Sequence, residues 1–110
     1  MEIDTVALGH ATDVSMPKVG IGTWHMGEDP RAAATEIAAL RHARDLGFNH
    51  FDTAEMYADG GAETILGRAF AGQARDGVFL TSKVYCVFHD MWPPVPRACG
   101  QSFHDMWPHP

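Results

Sequence analysis

The sequence has little of three things: cysteine, basic residues and long apolar runs. Its 110 residues include two cysteines, Cys86 and Cys99, too few for a disulfide framework, so a reducing cytoplasm is the expected location. The 8 basic residues against 14 acidic ones give a formal charge of −6, which argues against nucleic acid and anionic membranes as partners. No apolar run approaches the length of a transmembrane helix, and the acidic start MEID leads into no signal peptide.

Three short apolar segments of strand character recur at a regular interval. They span residues 19–22, 49–52 and 78–83, and they start 30 and then 29 residues apart. One strand plus one crossover helix needs about this spacing, so the pattern predicts β-α-β-α-β with parallel strands. Residues 6–8 and 14–16 are predicted to form a short β-hairpin before this series.

The two intervening segments carry helix signals. In the first, Asp29 is predicted to cap the helix, with Pro30 at its first position and Gly47 just beyond its end. The second helix is predicted to start near residue 61 or 62 and to stop near Gly72. Each contains an apolar stripe at helical spacing. The stripes are Ala33, Ile37, Leu40 and Ala43 in the first helix, and Ile65, Leu66, Ala69 and Phe70 in the second.

An aspartate, a tyrosine and a lysine stand on or just after two of the predicted strands. Asp52 and Tyr57 lie in FDTAEMY (51–57), and Lys83 lies in TSKVY (81–85). If the two strands are parallel neighbours, the three polar groups meet at one end of a sheet. A lysine beside a phenol favours the phenolate, and an aspartate can hold that lysine charged and oriented. Such a trio can donate a proton to a carbonyl oxygen while hydride reaches the carbon.

Each of these residues has a plainer explanation when it is taken alone. Asp52 could cap the loop after its strand, Tyr57 could be a half-buried packing residue, and residues 22–24 could form a turn with an aromatic plug. Lys83 ends an apolar strand, where a charge is costly unless it is paired. The occurrence of all three in register favours the functional interpretation.

Several motifs in order resemble the aldo-keto reductase family. VGIGTW (19–24) resembles its first barrel strand and loop, and EIAALRHARDLG (36–47) resembles its first helix. FDTAEMY with AETILGR (62–68) resembles the active-site loop and the next helix, and VFLTSKVY (78–85) resembles the strand that carries the family's lysine. Together they cover about residues 3–85, and ordered motifs of this kind rarely coincide by chance. TAEMY resembles the bacterial branch that reduces small aldehydes, dicarbonyls and keto acids.

The resemblance implies an NAD(P)H-dependent oxidoreductase that reduces small aldehydes or ketones to alcohols, with NADPH as the cofactor. It implies that Tyr57 is the proton donor and that Lys83 and Asp52 support it. It also implies a set of cofactor-binding residues, namely Gly22, Thr23, Trp24 and Asp52.

The family's fourth catalytic residue is a histidine, and neither candidate is assigned to it. His89 is too near Lys83 to sit on the following strand, and His104 lacks the apolar strand that should carry it.

The family fold is a (β/α)₈ barrel of about 250 residues, whereas the pattern in residues 1–85 supplies about three βα units. The sequence therefore predicts an α/β fold class, namely the N-terminal fragment of such a barrel preceded by a hairpin, truncated and inactive by itself. One face of its sheet would lack the rest of the barrel and lead to self-association. The side chains predicted on that face are Val19, Ile21, Phe51 and Leu80.

Residues 86–110 form a second segment of different composition, which is predicted to be disordered or artefactual. FHDMWP occurs at 88–93 and again at 103–108, and five of the seven prolines lie in this segment. Neither a helix nor an interior strand is expected there. Two copies are too few for a repeat fold. Truncation, a reading-frame error and tandem duplication are all open as the origin of the segment.

An alternative function uses this tail. The chain would then be a non-catalytic protein that binds a partner through its FHDMWP repeats or binds zinc through the tail. Zinc needs four ligands in tetrahedral array, and the spacing here matches no common zinc site, so no metal-binding residue is assigned. The ligands considered are Cys86, His89, Cys99, His104 and His109.

Overall fold

The computed structural model describes residues 2–9 and 14–84. An antiparallel hairpin comes first, formed by β1 (Thr5–Ala7) and β2 (Ser15–Pro17). Three parallel strands follow in the spatial order β3-β4-β5, with β3 at Ile21–Gly22, β4 at His50–Asp52 and β5 at Phe79–Thr81. Helix α1 (Ala33–Asp45) connects β3 to β4, and helix α2 (Gly61–Phe70) lies between β4 and β5. In the described part of the chain, neither helix is long and apolar enough to cross a membrane.

The predicted β-α-β-α-β order, the parallel pairing and the preceding hairpin are confirmed. The strands are shorter than predicted, because each parallel ladder continues for only two or three residue pairs. Beyond β5 the main chain keeps its contact with the segment after β4. The Thr53 N–H donates to the Thr81 carbonyl at 2.8 Å, and the Glu55 N–H donates to the Lys83 carbonyl at 3.2 Å.

Helix α1 begins later than the sequence predicted, and Asp29 does not cap it. The residue before the first helical position is Ala32. The Asp29 carboxylate is engaged by Arg31, which donates its main-chain N–H at 2.9 Å and a guanidinium N–H at 3.0 Å. The Asp29 carbonyl accepts the Ala32 N–H at 2.9 Å, so Asp29 and Pro30 form a turn ahead of the helix.

The other predicted helix ends agree with the structure. Gly47 follows α1 with φ of +98° and donates its N–H to the Arg44 carbonyl, as a glycine just beyond a helix commonly does. Helix α2 begins at Gly61, as predicted.

The core lies between the two helices and one face of the parallel sheet. The fully buried rings of Phe51 in β4 and Phe70 in α2 are 4.8 Å apart, and Leu40 of α1 is also fully buried. Arg41 ties the helices together by donating from Nε to the Ala69 carbonyl at 2.7 Å. Both predicted apolar stripes contribute to this core or pack against it.

The prediction for the uncovered face of the sheet is wrong for three of its four side chains. Ile21, Phe51 and Leu80 lie in register across the three strands and pack towards the helices, because the helix layer needs an apolar surface to cover. Val19 precedes β3 and is exposed. Since side chains alternate along a strand, the opposite face, called the second face below, carries His50, Asp52, Phe79 and Thr81.

The loop after β3 lies directly on the start of α2. Gly27 has φ of +82°, and a Cβ there would overlap the main chain of Gly61. The two backbones therefore touch with no side chain between them. The Gly27 N–H also donates to Glu36 Oε2 of α1 at 3.0 Å. Residues 23–28 are thus held against both helices.

Candidate active site

The carboxyl ends of β4 and β5 bring an aspartate and a lysine together. Asp52 is the last residue of β4 and lies opposite Thr81, two residues before Lys83. Lys83 Nζ donates to Asp52 Oδ1 at 2.5 Å and to the Thr53 carbonyl at 2.9 Å. The Asp52 side chain is 39% exposed and the Lys83 side chain 48%. The pair is therefore well hydrogen-bonded yet open to a ligand.

The Tyr57 hydroxyl faces the same ammonium group. Lys83 Nζ lies 3.5 Å from the Tyr57 oxygen and 5.2 Å from the centre of its ring. Tyr57 opens a 3₁₀ turn, Tyr57–Gly60, that leads into α2. Ala58 and Asp59 both adopt left-handed conformations, with φ of +52° and +51°, at a cost of order 1 kcal/mol or more each. This strained turn lets α2 start four residues after Tyr57 while the ring stays beside Lys83.

The hydrogen bonds and charges around Lys83 change its pKa. The hydrogen bond to Asp52 raises the pKa of Lys83 above its ordinary value of 10.5, although partial burial acts in the opposite direction. Contact with Tyr57 adds a smaller effect that also raises the pKa. Lys83 is consequently a fixed positive charge near neutral pH, with the Tyr57 oxygen within its reach.

The residues of the predicted cofactor set take different positions beside this cluster. Gly22 pairs with Asp52 in the ladder, and no atom lies within 4 Å of the place where its Cβ would be. Thr23 is fully buried, and both its main-chain N–H and its hydroxyl donate to the Asp52 carbonyl, at 3.0 and 3.1 Å. The Thr23 hydroxyl thus holds the main chain of β4 and faces away from solvent.

Trp24 is the most outward member of the predicted set, with 70% of its surface exposed. Its indole stacks on the His25 ring, with centroids 4.5 Å apart and planes 18° from parallel. His25 Nδ1 lies 2.7 Å from Glu28 Oε1. The indole is therefore partly held in place and presents a broad aromatic surface at the carboxyl end of β3.

Sequence reasoning missed the main-chain carbonyl of Thr53, which accepts a hydrogen bond from Lys83. A main-chain acceptor has no residue-type signature, so no pattern could have shown it. Within residues 2–9 and 14–84, no group of three or more His, Cys, Asp or Glu side chains is placed to hold a metal ion. The histidines and cysteines of the alternative zinc hypothesis lie outside the described residues, as do the unassigned His89 and His104.

The described fold consists of parallel βα units, and a tyrosine, a lysine and an aspartate lie together at the carboxyl ends of the strands. Comparison with known protein families agrees with this arrangement. The chain matches the Aldo/keto reductase family over residues 18–103. It therefore belongs to the aldo-keto reductase family. One relative is the Escherichia coli K12 protein named Methylglyoxal reductase YeaE, which is 60% identical over 73 residues, covering 66% of this chain and 25% of the relative.

Two solved structures from Klebsiella pneumoniae are also similar. An aldo-keto reductase in complex with NADPH shares 49% identity with a TM-score of 0.66, covering 77% of this chain and 29% of its own. A second, in complex with NADP and acetate, shares 54% identity with a TM-score of 0.61, covering 64% of this chain and 25% of its own. These neighbours are (β/α)₈ barrels, so the predicted fold class is confirmed: the described residues correspond to the N-terminal part of such a barrel. The chain spans about a quarter of the length of these relatives.

Proposed function

We propose that Asp52, Tyr57 and Lys83 form the proton-donating half of a site for the NADPH-dependent reduction of small aldehydes and ketones. One observation carries the proposal: a single ammonium group lies 2.5 Å from a carboxylate and 3.5 Å from a phenol at the strand ends. Membership of the aldo-keto reductase family supports it. Carbonyl reduction needs a group that donates a proton to the carbonyl oxygen and a positive charge that stabilises the donor after it has lost the proton. In this cluster Tyr57 would be the donor and the Lys83 ammonium would supply the positive charge.

In this proposal Tyr57 donates its hydroxyl proton to the carbonyl oxygen as negative charge develops there. The O–H bond of Tyr57 breaks, a new O–H bond forms on the product alcohol, and Tyr57 is left as a phenolate. The Lys83 ammonium stabilises that phenolate through its positive charge. Asp52 and the Thr53 carbonyl hold the ammonium in place by accepting two of its hydrogen bonds.

The residues beside the cluster fit a nicotinamide cofactor. Reduced NADPH, when bound, supplies the hydride that reaches the carbonyl carbon. Gly22 leaves the surface beside Asp52 free of side-chain atoms, so a flat ring can approach the strand. Trp24 offers an exposed aromatic surface nearby, and the Asp52 carboxylate can accept a hydrogen bond from a ribose hydroxyl. The buried Thr23 hydroxyl supports this set from behind.

The test is a chimera in which residues 18–84 replace the matching segment of the E. coli relative. We expect the chimera to oxidise NADPH in the presence of methylglyoxal. We expect Tyr57→Phe to lower the rate by roughly 10²- to 10⁴-fold, the usual contribution of a positioned acid. Thr64→Ala, an exposed change in α2, is the control and should leave the rate near that of the parent chimera. A folded chimera that keeps its full rate with Tyr57→Phe would refute the assignment.

The 110 residues by themselves are expected to show no steady NADPH oxidation with methylglyoxal or a simple aldehyde. A (β/α)₈ barrel builds its active site from the loops that follow eight strands, and the described residues include three parallel strands, so they provide only part of the walls that would keep water from the cluster. Turnover by the purified chain that Tyr57→Phe abolishes would contradict this expectation.

We also propose that the protein is located in the cytoplasm, because it has too few cysteines for a disulfide framework. Cell fractionation would test that location.

A further inference from the structure

Lys83 lies beyond the last residue of β5, so the strand ladder does not hold it in place. The segment that carries it has two anchors. The Lys83 carbonyl accepts the Glu55 N–H at 3.2 Å, and the preceding residue, Ser82, donates its hydroxyl to Glu63 Oε1 at 2.7 Å. The second contact is the shorter, and it joins this segment to helix α2.

Glu63 is an unusual residue for its location. It stands in the first turn of α2 and is 2% exposed, among the side chains that form the core. Its Oε2 is buried and has no hydrogen-bond partner among the described residues. Burial of a carboxyl group with one oxygen unpaired is costly. A leucine at the same position would pack without that cost, so core packing does not account for a glutamate here.

The position of Glu63 relative to the sheet indicates what the carboxyl group does. Thr81 lies opposite Asp52 on the second face. Side chains alternate along an extended chain, so the next residue, Ser82, projects towards the helices. Glu63 reaches it from that side. The contact therefore holds the end of β5 from behind, while Lys83 contacts Asp52 in front.

We propose that Glu63 is a positioning residue that, through Ser82, fixes the end of β5 so that the Lys83 ammonium stays on Asp52 and beside Tyr57. Only the effect of this positioning on the reaction rate rests on the proposed function. The positioning itself is a property of the described residues. It makes α2, which begins just after Tyr57, the common support of both the tyrosine and the lysine.

The chain offers a direct measurement, because Lys18 and Lys83 are its only lysines. Trace acetylation of the 110-residue chain with isotope-labelled acetic anhydride, read by mass spectrometry, gives the reactivity of Lys83 relative to Lys18 in one sample. A lysine held as an ammonium in hydrogen bonds reacts slowly. Lys18 also pairs with an aspartate, at 3.4 Å from Asp4, but has no link to α2. It is therefore an internal reference.

We expect Ser82→Ala to raise the relative reactivity of Lys83 by about fivefold or more, the loss that one hydrogen bond typically causes. Glu63→Leu should have the same effect, and the double variant should add nothing further. Thr64→Ala removes a hydroxyl that bonds the Gly60 carbonyl at 3.1 Å, and it should leave the ratio unchanged. Glu63→Gln keeps an oxygen acceptor for Ser82 and should stay near the parent.

The double variant Glu63→Leu with Ser82→Ala separates positioning from a merely structural role. Replacing both partners of a buried hydrogen bond by apolar groups is nearly neutral for stability, so a structural role predicts no release of Lys83 in that variant. Unchanged Lys83 reactivity in folded Ser82→Ala overturns the inference, and so does release by Thr64→Ala. If Glu63→Leu does not fold, Ser82→Ala decides alone, because it removes a single oxygen.

The chimera keeps this inference distinct from the proposed function. Ser82→Ala in the chimera should lower the rate while NADPH binding is retained, and Ser82→Thr should restore it. If the chimera is inactive but Ser82→Ala releases Lys83 in the chain, the proposed function fails and the positioning stands. If the chimera is active and Lys83 is unaffected, the positioning fails and the function stands.

Discussion

The resemblance assigns Thr23 to cofactor binding, and the structure gives its side chain a supporting task as well. Its N–H and hydroxyl both bond the Asp52 carbonyl. We expect Thr23→Val, which keeps the shape, to lower the free energy of unfolding by about 1 kcal/mol. Thr23→Ser keeps the hydroxyl and should leave Asp52 in place, while the lost methyl costs a similar amount.

Chemical denaturation measures both stabilities, and labelling of Lys83 distinguishes the two variants. Thr23→Val should raise the reactivity of Lys83, because the Asp52 carbonyl then accepts a hydrogen bond from the main-chain N–H of residue 23 but none from its side chain. Thr23→Ser should not. Equal Lys83 reactivity in the two variants would contradict the supporting task.

The raised pKa of Lys83 predicts a pH dependence of stability. The folded state holds this proton more tightly than the unfolded chain does. The stabilisation is therefore fully present below the ordinary pKa of 10.5 and is lost as pH rises through the higher pKa of the folded state. Because both partners are more than a third exposed, we expect a contribution of about 0.2–1 kcal/mol.

The measurement is the difference in unfolding free energy between the parent and Lys83→Met, followed from pH 8 upwards. The difference should shrink above about pH 10.5. Lys18→Met is the matched control, since Lys18 pairs with Asp4 over a longer distance. A difference that grows with pH would have the wrong sign for this explanation.

At the scale of elements, the contact between Gly27 and Gly61 joins the loop after β3 to helix α2. We expect Gly27→Ala to lower the free energy of unfolding by about 1–3 kcal/mol from overlap, in addition to strain from its positive φ. Gly72→Ala is the control, because Gly72 also has positive φ, +73°, but no atom lies within 4 Å of its Cβ position. Thermal unfolding of the two variants should show a larger loss for Gly27→Ala, and equal losses would argue against a tight contact.

The sequence predicted the elements well and their details less well. Apolar periodicity located both helices and the strands, since burial of one face dictates that spacing. It misplaced the start of α1, because Asp29 has an equally good local partner in Arg31. It also put Ile21, Phe51 and Leu80 on the wrong face, because three-residue strands alternate too briefly to show which face the helices cover.

The candidate site was predictable as far as residue type carries information. Asp52, Tyr57 and Lys83 were found by their order and spacing, and the structure brings them together. Glu63 had a weaker signal, as a charged residue spaced three and seven positions before Leu66 and Phe70 on the apolar side of α2. The Thr53 carbonyl had none.

At the scale of the whole molecule, the second face is more polar than the sequence predicted. It carries His50, which bonds Thr81 at 2.9 Å and packs edge-on against Phe79 at 5.3 Å. The outer strands β3 and β5 each pair on one side among the described residues, which leaves hydrogen-bonding edges. We therefore expect self-association to proceed through strand edges more than through an apolar face.

Light scattering coupled to size-exclusion chromatography tests this expectation across a range of protein concentrations. Val19→Lys puts a charge beside the edge of β3 and should shift the chain towards monomer. Val6→Lys changes another exposed valine, in the hairpin, and should not. Equal behaviour of the two variants would remove the edge of β3 as the interface.

Asp52, Tyr57 and Lys83 come from one β-α-β unit, and no two of them are more than 31 positions apart in the chain. Their meeting needs the closure of a single short loop, for which the entropy cost is modest. β3 pairs with β4 across 30 positions and β4 with β5 across 29, so sequence separation favours neither strand pair as the first to form. Pairing of β4 with β5 is enough to bring the lysine beside the phenol, and the cluster therefore needs no contribution from β3 to assemble.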